Sequence, residues 1–215
     1  MKTLVFAGLA VLACAGAAPA FADPASVRSV PVDPFMAVTA SAGLSVTVTP
    51  GPASVTLEGD PRLFDRVKVE VRNGTLRLSR VTGPGWHWGG WRDEVRVRVT
   101  APTLAAVDAS SGADITVHDI AATVLSLEAS SGADVIADGK CDALTATASS
   151  GADLRAEKLV CGSVTARASS GADVVVFATA SASGDASSGA GVLIRGPARI
   201  GDTSESSGGG VTVRR

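Results

Sequence analysis

The chain has 215 residues and a formal net charge of −2, from 19 basic and 21 acidic side chains, a balance that excludes a nucleic-acid partner gripped by a basic stripe. Tyr is absent, aromatics make up 4% and 24 residues are Gly, while Ala and Val dominate the 46% apolar content. Such a composition excludes a globule built around large side chains and suits a thin solenoid with small residues stacked along its axis.

Lys2, the apolar run Leu4 to Ala15 and the small residues around Ala20-Phe21-Ala22 read as a signal peptide over residues 1–22, cleaved before Asp23. The run is too short to span a bilayer and no later stretch is apolar enough, so no transmembrane segment is expected after signal removal. The mature chain is expected to be exported, to a periplasm, a cell surface or the medium. An alternative places Val11-Leu12-Ala13-Cys14 as a lipid-attachment site, anchoring the chain through Cys14.

Residues 23–100 are expected to form a β-rich N-terminal cap. Phe35-Met36-Ala37-Val38, Leu44-Ser45-Val46-Thr47-Val48 and Val55-Thr56-Leu57 alternate apolar and polar side chains, as half-buried strands do. Asp60-Pro61-Arg62-Leu63-Phe64-Asp65 predicts a short helical turn, capped by Asp60 and begun by Pro61. Val67 to Arg72 and Thr75 to Leu78, joined by Asn73-Gly74, predict a hairpin, because Asn-Gly accepts the positive φ angles of a type I′ turn. Val95-Arg96-Val97-Arg98-Val99 predicts a further strand with one wet face.

Between that hairpin and that strand stands Gly83-Pro84-Gly85-Trp86-His87-Trp88-Gly89-Gly90-Trp91, which holds every tryptophan of the chain. Glycine and proline prevent regular structure there. Trp86, His87, Trp88 and Trp91 are therefore the candidate binding residues, presenting aromatic faces to a sugar or a protein. The competing reading folds the indoles back over apolar surface of the cap. His87 has no Cys, Asp or second His at metal-ligand spacing beside it.

Residues 101–215 are organised by Ser110-Ser111-Gly112-Ala113-Asp114. The motif returns at Ser130, Ser149 and Ser169 and decays at Ser187 and Ser206, with its glycines between 18 and 20 residues apart. A fixed period of this length, built on β-branched residues and small polar turns, predicts a β-solenoid whose unit is one coil. Strict alternation across the motif puts Val107, Ala109, Ser111, Ala113, Ile115 and Val117 on one inward face, with equivalents in the following coils. On that reading a column of serines points into the core, and its hydroxyls need partners. A bulge at the glycine would invert the faces downstream.

The outward column Asp114, Asp134, Asp153 and Asp173 is the candidate metal site, since calcium takes carboxylate oxygens. The ordinary alternative is solvated turn aspartates bonded to nearby backbone N–H groups. Catalysis would have to use the same ladder, but glycoside chemistry needs a distinct acid and base in different surroundings. His118 and Asp119 fall in a turn without a nucleophile. A non-catalytic chain is expected, and no cofactor is indicated. Cys141 and Cys161 occupy one column of adjacent coils, within reach of a disulfide in an oxidising compartment; free thiols are the alternative. The last coil, Val211 to Arg215, has no evident cap, and its edge invites homo-oligomers by edge or end association.

The order of Phe35-Met36-Ala37-Val38 with Leu44-Ser45-Val46-Thr47-Val48, Asp60-Pro61-Arg62-Leu63 leading to Asn73-Gly74-Thr75-Leu76, Ala101-Pro102-Thr103-Leu104, and serial Ser-Gly motifs ending in Arg195-Gly196-Pro197 resembles the bacterial head GIN domain family. That family of adhesin head domains is otherwise labelled a domain of unknown function. The resemblance covers residues 27–213. It implies an all-β fold, a right-handed parallel β-helix with coils of about 19–20 residues, in an exported protein with adhesion inferred for the family. It brings no catalytic residues, and the tryptophan segment is outside the pattern. A membrane barrel after Arg215 is not expected, nor therefore display by the autotransporter route. The function expected is an adhesion or interaction module of the bacterial cell envelope with a protein or glycan ligand. The alternatives are a polysaccharide-acting β-helix enzyme or a self-associating structural protein.

Overall fold

The computed structural model describes residues 26–81 and 95–215. Its strands in chain order are β1 (Ser26–Val30), β2 (Ala37–Ala40), β3 (Ser45–Pro50), β4 (Ser54–Gly59), β5 (Val67–Arg72), β6 (Thr75–Arg80), β7 (Arg96–Ala101), β8 (Ala106–Ala109), β9 (Asp114–Ser130), β10 (Asp134–Ser149), β11 (Asp153–Ser169), β12 (Asp173–Ser187), β13 (Gly191–Arg195), β14 (Arg199–Ser206) and β15 (Gly210–Arg214). All fifteen belong to one sheet, wound on itself. No helix among the described residues is long and apolar enough to cross a membrane.

The serine motif forms a two-residue turn. Ser111 and Gly112 have φ of +52° and +71°, and the Ala113 N–H donates to the Ser110 carbonyl at 3.2 Å. Two successive positive φ angles define a type I′ turn, and glycine takes the second without a steric cost. The turn backbones also stack, because the Gly112 N–H donates to the Ser131 carbonyl and the Gly132 N–H to that of Ser150, each at 3.1 Å. The second serine of each motif therefore lies at the tip of the turn, and Ser111, Ser131, Ser150 and Ser170 are exposed. This corrects the expected inward serine column: alternation counts only extended residues, and these serines are not extended. The faces do not invert downstream. Ala109 and Ala113 are both buried, as are Ala129 and Ala133, and Ala148 and Ala152.

β9 to β12 each run from one turn to the next and pair in parallel. Register partners form columns: Ile115, Val135, Leu154, Val174 and Val192 in the core, and Ala129, Ala148, Ala168 beside the turn. Alanine suits the positions flanking the turn because the two arms of the coil converge there and leave no width for a longer side chain. Farther from the turn the arms separate, and Leu127, Leu144, Leu154 and Ile194 fill the space. Each such side chain, once buried, contributes about 1.5–3 kcal/mol.

The stack takes in more than residues 101–215. Ser41-Ala42-Gly43 joins β2 to β3 with φ of +61° at Ala42 and +66° at Gly43, and the Gly43 N–H donates to the Ser111 carbonyl at 3.1 Å. β2 pairs in register with β8, and β3 with β9, so residues 37–50 are a coil lying directly on the first serine motif. On its other side β6 pairs with β2 and β7 with β3. Spatial order thus departs from chain order. Beyond these, β4 runs antiparallel against β7, β1 antiparallel against β4, and β5 antiparallel against β6. This antiparallel layer covers the sheet edge, as a cap must.

The predicted local elements of the cap are present. Asn73 and Gly74, with φ of +51° and +72°, join β5 to β6. A 3-10 helix over Pro61–Arg66 is capped by Asp60, whose Oδ1 accepts from the Arg62 N–H at 2.9 Å. Hydrogen bonds from the Arg62 side chain and backbone hold the Asp60 carboxyl down to about 2.

At the far end β14 pairs with β12, and β15 with β13. Glu205 is the register partner of buried Ala186, and its Oε1 accepts from the Val211 N–H at 2.7 Å. Glu205 thus sets a polar group at the inner side of the last coil, whose strands β14 and β15 stay largely exposed.

Candidate functional site

The aspartate column is where the spacing placed it. Asp114, Asp134, Asp153 and Asp173 are successive register partners, preceded by Ser45 and followed by Gly191 and Gly210. Each stands immediately after a turn, so its side chain points outward beside the turn edge. Asp153 accepts from Arg155 Nη2 at 2.8 Å, two residues along the same strand. The Asp173 carboxylate leans over Gly191, where its Oδ1 lies 2.5 Å from the place a Cβ would take. Among the described residues, no group of three or more His, Cys, Asp or Glu side chains is arranged to hold a metal ion.

At the opposite edge of the coil, His118 Nδ1 and Asp138 Oδ2 are 2.8 Å apart, and the Asp119 N–H donates to Asp138 Oδ1 at 2.7 Å. Asp119 has a φ of +54°, which turns its N–H toward the next coil. The Asp119 N–H, and after it the His118 ring, hold the Asp138 carboxyl below the usual carboxylate range. The resulting clasp ties two coils at a corner that has no serine motif. Among the described residues, no hydroxyl or thiol is hydrogen-bonded to the His118 ring.

Cys141 and Cys161 are register partners with Cα atoms 4.5 Å apart, and a disulfide joins them. Trp86, His87, Trp88 and Trp91 lie outside the described residues. The strands on either side of that segment, β6 and β7, are neighbours of β2 and β3, which Ser41–Gly43 joins.

One feature escaped the sequence reading. A groove of about 1080 Å³ opens at the C-terminal corner, lined by Phe177, Ser181 and Pro197 together with Arg195, Arg199, Arg214 and Arg215. Arg195 and Arg214 are register partners on β13 and β15. The signal available beforehand was their 19-residue separation, which equals one coil and brings the two arginines side by side.

A family model described as "Putative auto-transporter adhesin, head GIN domain" matches residues 34–198. Among solved structures, one named as a putative adhesin from Bacteroides fragilis is similar at a TM-score of 0.67 and 16% identity, over 90% of this chain and 98% of that one. Another, named as a putative lipid binding protein from Parabacteroides distasonis, is similar at a TM-score of 0.50 and 12% identity, over 89% and 97%. At these identities the likeness concerns the fold. Among curated proteins, none matches in sequence. With its coils, its turns and the greater part of its length matched by that family model, the chain belongs to the head GIN domain family.

Proposed function

We propose that this protein is an exported, non-catalytic β-solenoid that acts as an adhesion or interaction module at the bacterial cell envelope. The observation that carries the reading is the repetition of one outward surface. The turn serines and the aspartates after them recur in register from coil to coil, so the stack displays a regular polar face on a rigid support. Rigid, pre-organised surfaces lose little entropy on binding, which favours contact with an extended partner. The names of the Bacteroides and Parabacteroides structures, adhesin and lipid binding protein, agree with a contact role.

In this reading residues 1–22 are removed on export, or Cys14 anchors the chain, and Trp86, His87, Trp88 and Trp91 contribute aromatic contacts to a glycan or protein. The test is binding of the mature chain to a glycan array and to a panel of envelope and host-surface proteins. Replacement of Trp86, Trp88 and Trp91 together by alanine is expected to abolish binding of uncharged glycans without changing the circular-dichroism spectrum. Depolymerisation of a polysaccharide that disappears in Asp134→Asn or Asp153→Asn would replace this reading with an enzymatic one.

A further inference from the structure

We propose that the arginine-lined groove at the C-terminal corner is a binding site for a saccharide bearing phosphate or sulfate groups. The proposal rests on the contact-module reading and names a ligand class and a place for it.

Charge is the first argument. The whole chain is net negative, yet Arg195, Arg199, Arg214 and Arg215 line one groove. Adjacent parallel strands hold Arg195 and Arg214 about 4.8 Å apart at the backbone, and like charges placed this way destabilise the pair. Several arginines elsewhere have a carboxylate partner, such as Arg98 with Glu58 at 2.6 Å, Arg155 with Asp153 at 2.8 Å and Arg167 with Asp185 at 3.3 Å. Arg66, Arg77 and Arg96 stand without one among the described residues, but they are not gathered in a groove. Among the described residues, the four groove arginines have no such carboxylate. An anion from outside supplies the missing counter-charge. Guanidinium forks match phosphate and sulfate oxygens two at a time, and two forks one strand apart converge on one such group.

Shape is the second argument. The Phe177 ring lies against Gly196, where a Cβ would come within 3.2 Å of two ring carbons and 2.3 Å of the Ala178 carbonyl oxygen. Glycine at 196 therefore permits the aromatic floor. Phe177 and Pro197 offer apolar surface to the C–H face of a sugar ring, and the Ser181 hydroxyl stands at the wall for its hydroxyls. Four cations confined to one corner cover one or two anionic groups, which is the scale of a charged saccharide and not of a nucleic-acid backbone.

The experiment is isothermal titration of the mature chain at physiological salt with a sulfated disaccharide, a sugar phosphate, their neutral counterparts and inorganic phosphate. The charged sugars are expected to bind at least tenfold more tightly than the neutral ones. Arg195→Gln with Arg214→Gln is expected to weaken them at least tenfold, and Arg77→Gln on β6, far along the stack, to leave them unchanged. Phe177→Ala is expected to weaken the charged sugars while leaving inorganic phosphate as it was. Vesicles carrying a phosphorylated glycolipid, set against the free sugar phosphate, separate a membrane headgroup from a soluble glycan as the source. Equal affinity for charged and neutral sugars, or a double variant that binds like the wild type, overturns the proposal. So does a double variant whose only change is self-association in light scattering, because the arginines would then merely guard an edge strand. Binding to uncharged glycans alone removes this site and leaves the adhesion reading standing. Charged-sugar binding here without any effect of the double variant on attachment removes the adhesion reading and leaves the site.

Discussion

The two edges of each coil are built on different principles. Along the turn edge every coil repeats the same two-residue reversal, and backbone hydrogen bonds pass from one turn to the next. Along the opposite edge the coils differ, and the register shifts fall there, between Ala137 and Gly139 and between Ala156 and Val160. The strand ladder resumes after each shift, and individual side chains reinforce it there: the His118–Asp138 clasp and the Cys141–Cys161 bridge, with Gly139 packed against the Ile120 backbone. A uniform edge resists change because many equivalent bonds share the load. A variable edge is more sensitive to substitution and freer to acquire a site, and the arginine groove lies on it.

The largest test of this contrast is the bridge. Cys141→Ser is expected to cost about 3 kcal/mol, since the closed loop spans 20 residues. Denaturant unfolding should show the variant and the reduced wild type coinciding, both below the oxidised wild type. Coincidence of all three curves would mean the variable edge is held without the bridge.

Glycine substitutions compare the edges directly. A Cβ on Gly139 would lie 2.3 Å from the Ile120 carbonyl oxygen and 2.4 Å from its nitrogen, whereas one on Gly151 meets nothing within 4 Å. Gly139→Ala is therefore expected to cost about 2–3 kcal/mol, because backbone must move, and Gly151→Ala about 1 kcal/mol, from its positive φ alone. Equal losses in thermal melts of the two variants would remove the distinction between edges.

The smallest expected effect is the acid dependence of the clasp. The Asp138 carboxyl is held below its ordinary value in the folded chain, so the unfolded chain binds that proton more readily. Its stabilisation is complete above the unfolded value of about 3.9 and is lost as pH falls through the folded value. Asp138→Asn is expected to lose about 1 kcal/mol at pH 7, a figure reduced for its partial exposure, and to converge with the wild type at strongly acidic pH. A constant difference across the acid range would show that charge at Asp138 is not what the clasp uses.

Much of this was legible beforehand, for local reasons. Ser-Ser-Gly and Asn-Gly choose positive φ by themselves, apolar alternation chooses a buried face, and a 20-residue separation of cysteines equals one coil. The misreadings had equally specific causes. Ser41-Ala42-Gly43 was hidden because alanine replaces the second serine and Leu44-Ser45 replaces Ala-Asp, although the backbone there is the same. Strict parity points Ser111 and its equivalents inward only if the turn residues are extended, and their positive φ shows that they are not.

Length, small-residue composition and the recurring motif thus determined by themselves that the chain would coil, where it would turn and which cysteines would meet. Those properties depend on neighbours in sequence and on a fixed strand spacing. Only the tertiary structure decided that β6 and β7 lie outside residues 37–50, that Glu205 meets the Val211 N–H in the last coil, and that four arginines share one groove. Each of these depends on which strands stack on which, and that order follows from the joint burial of whole coils and not from any one segment.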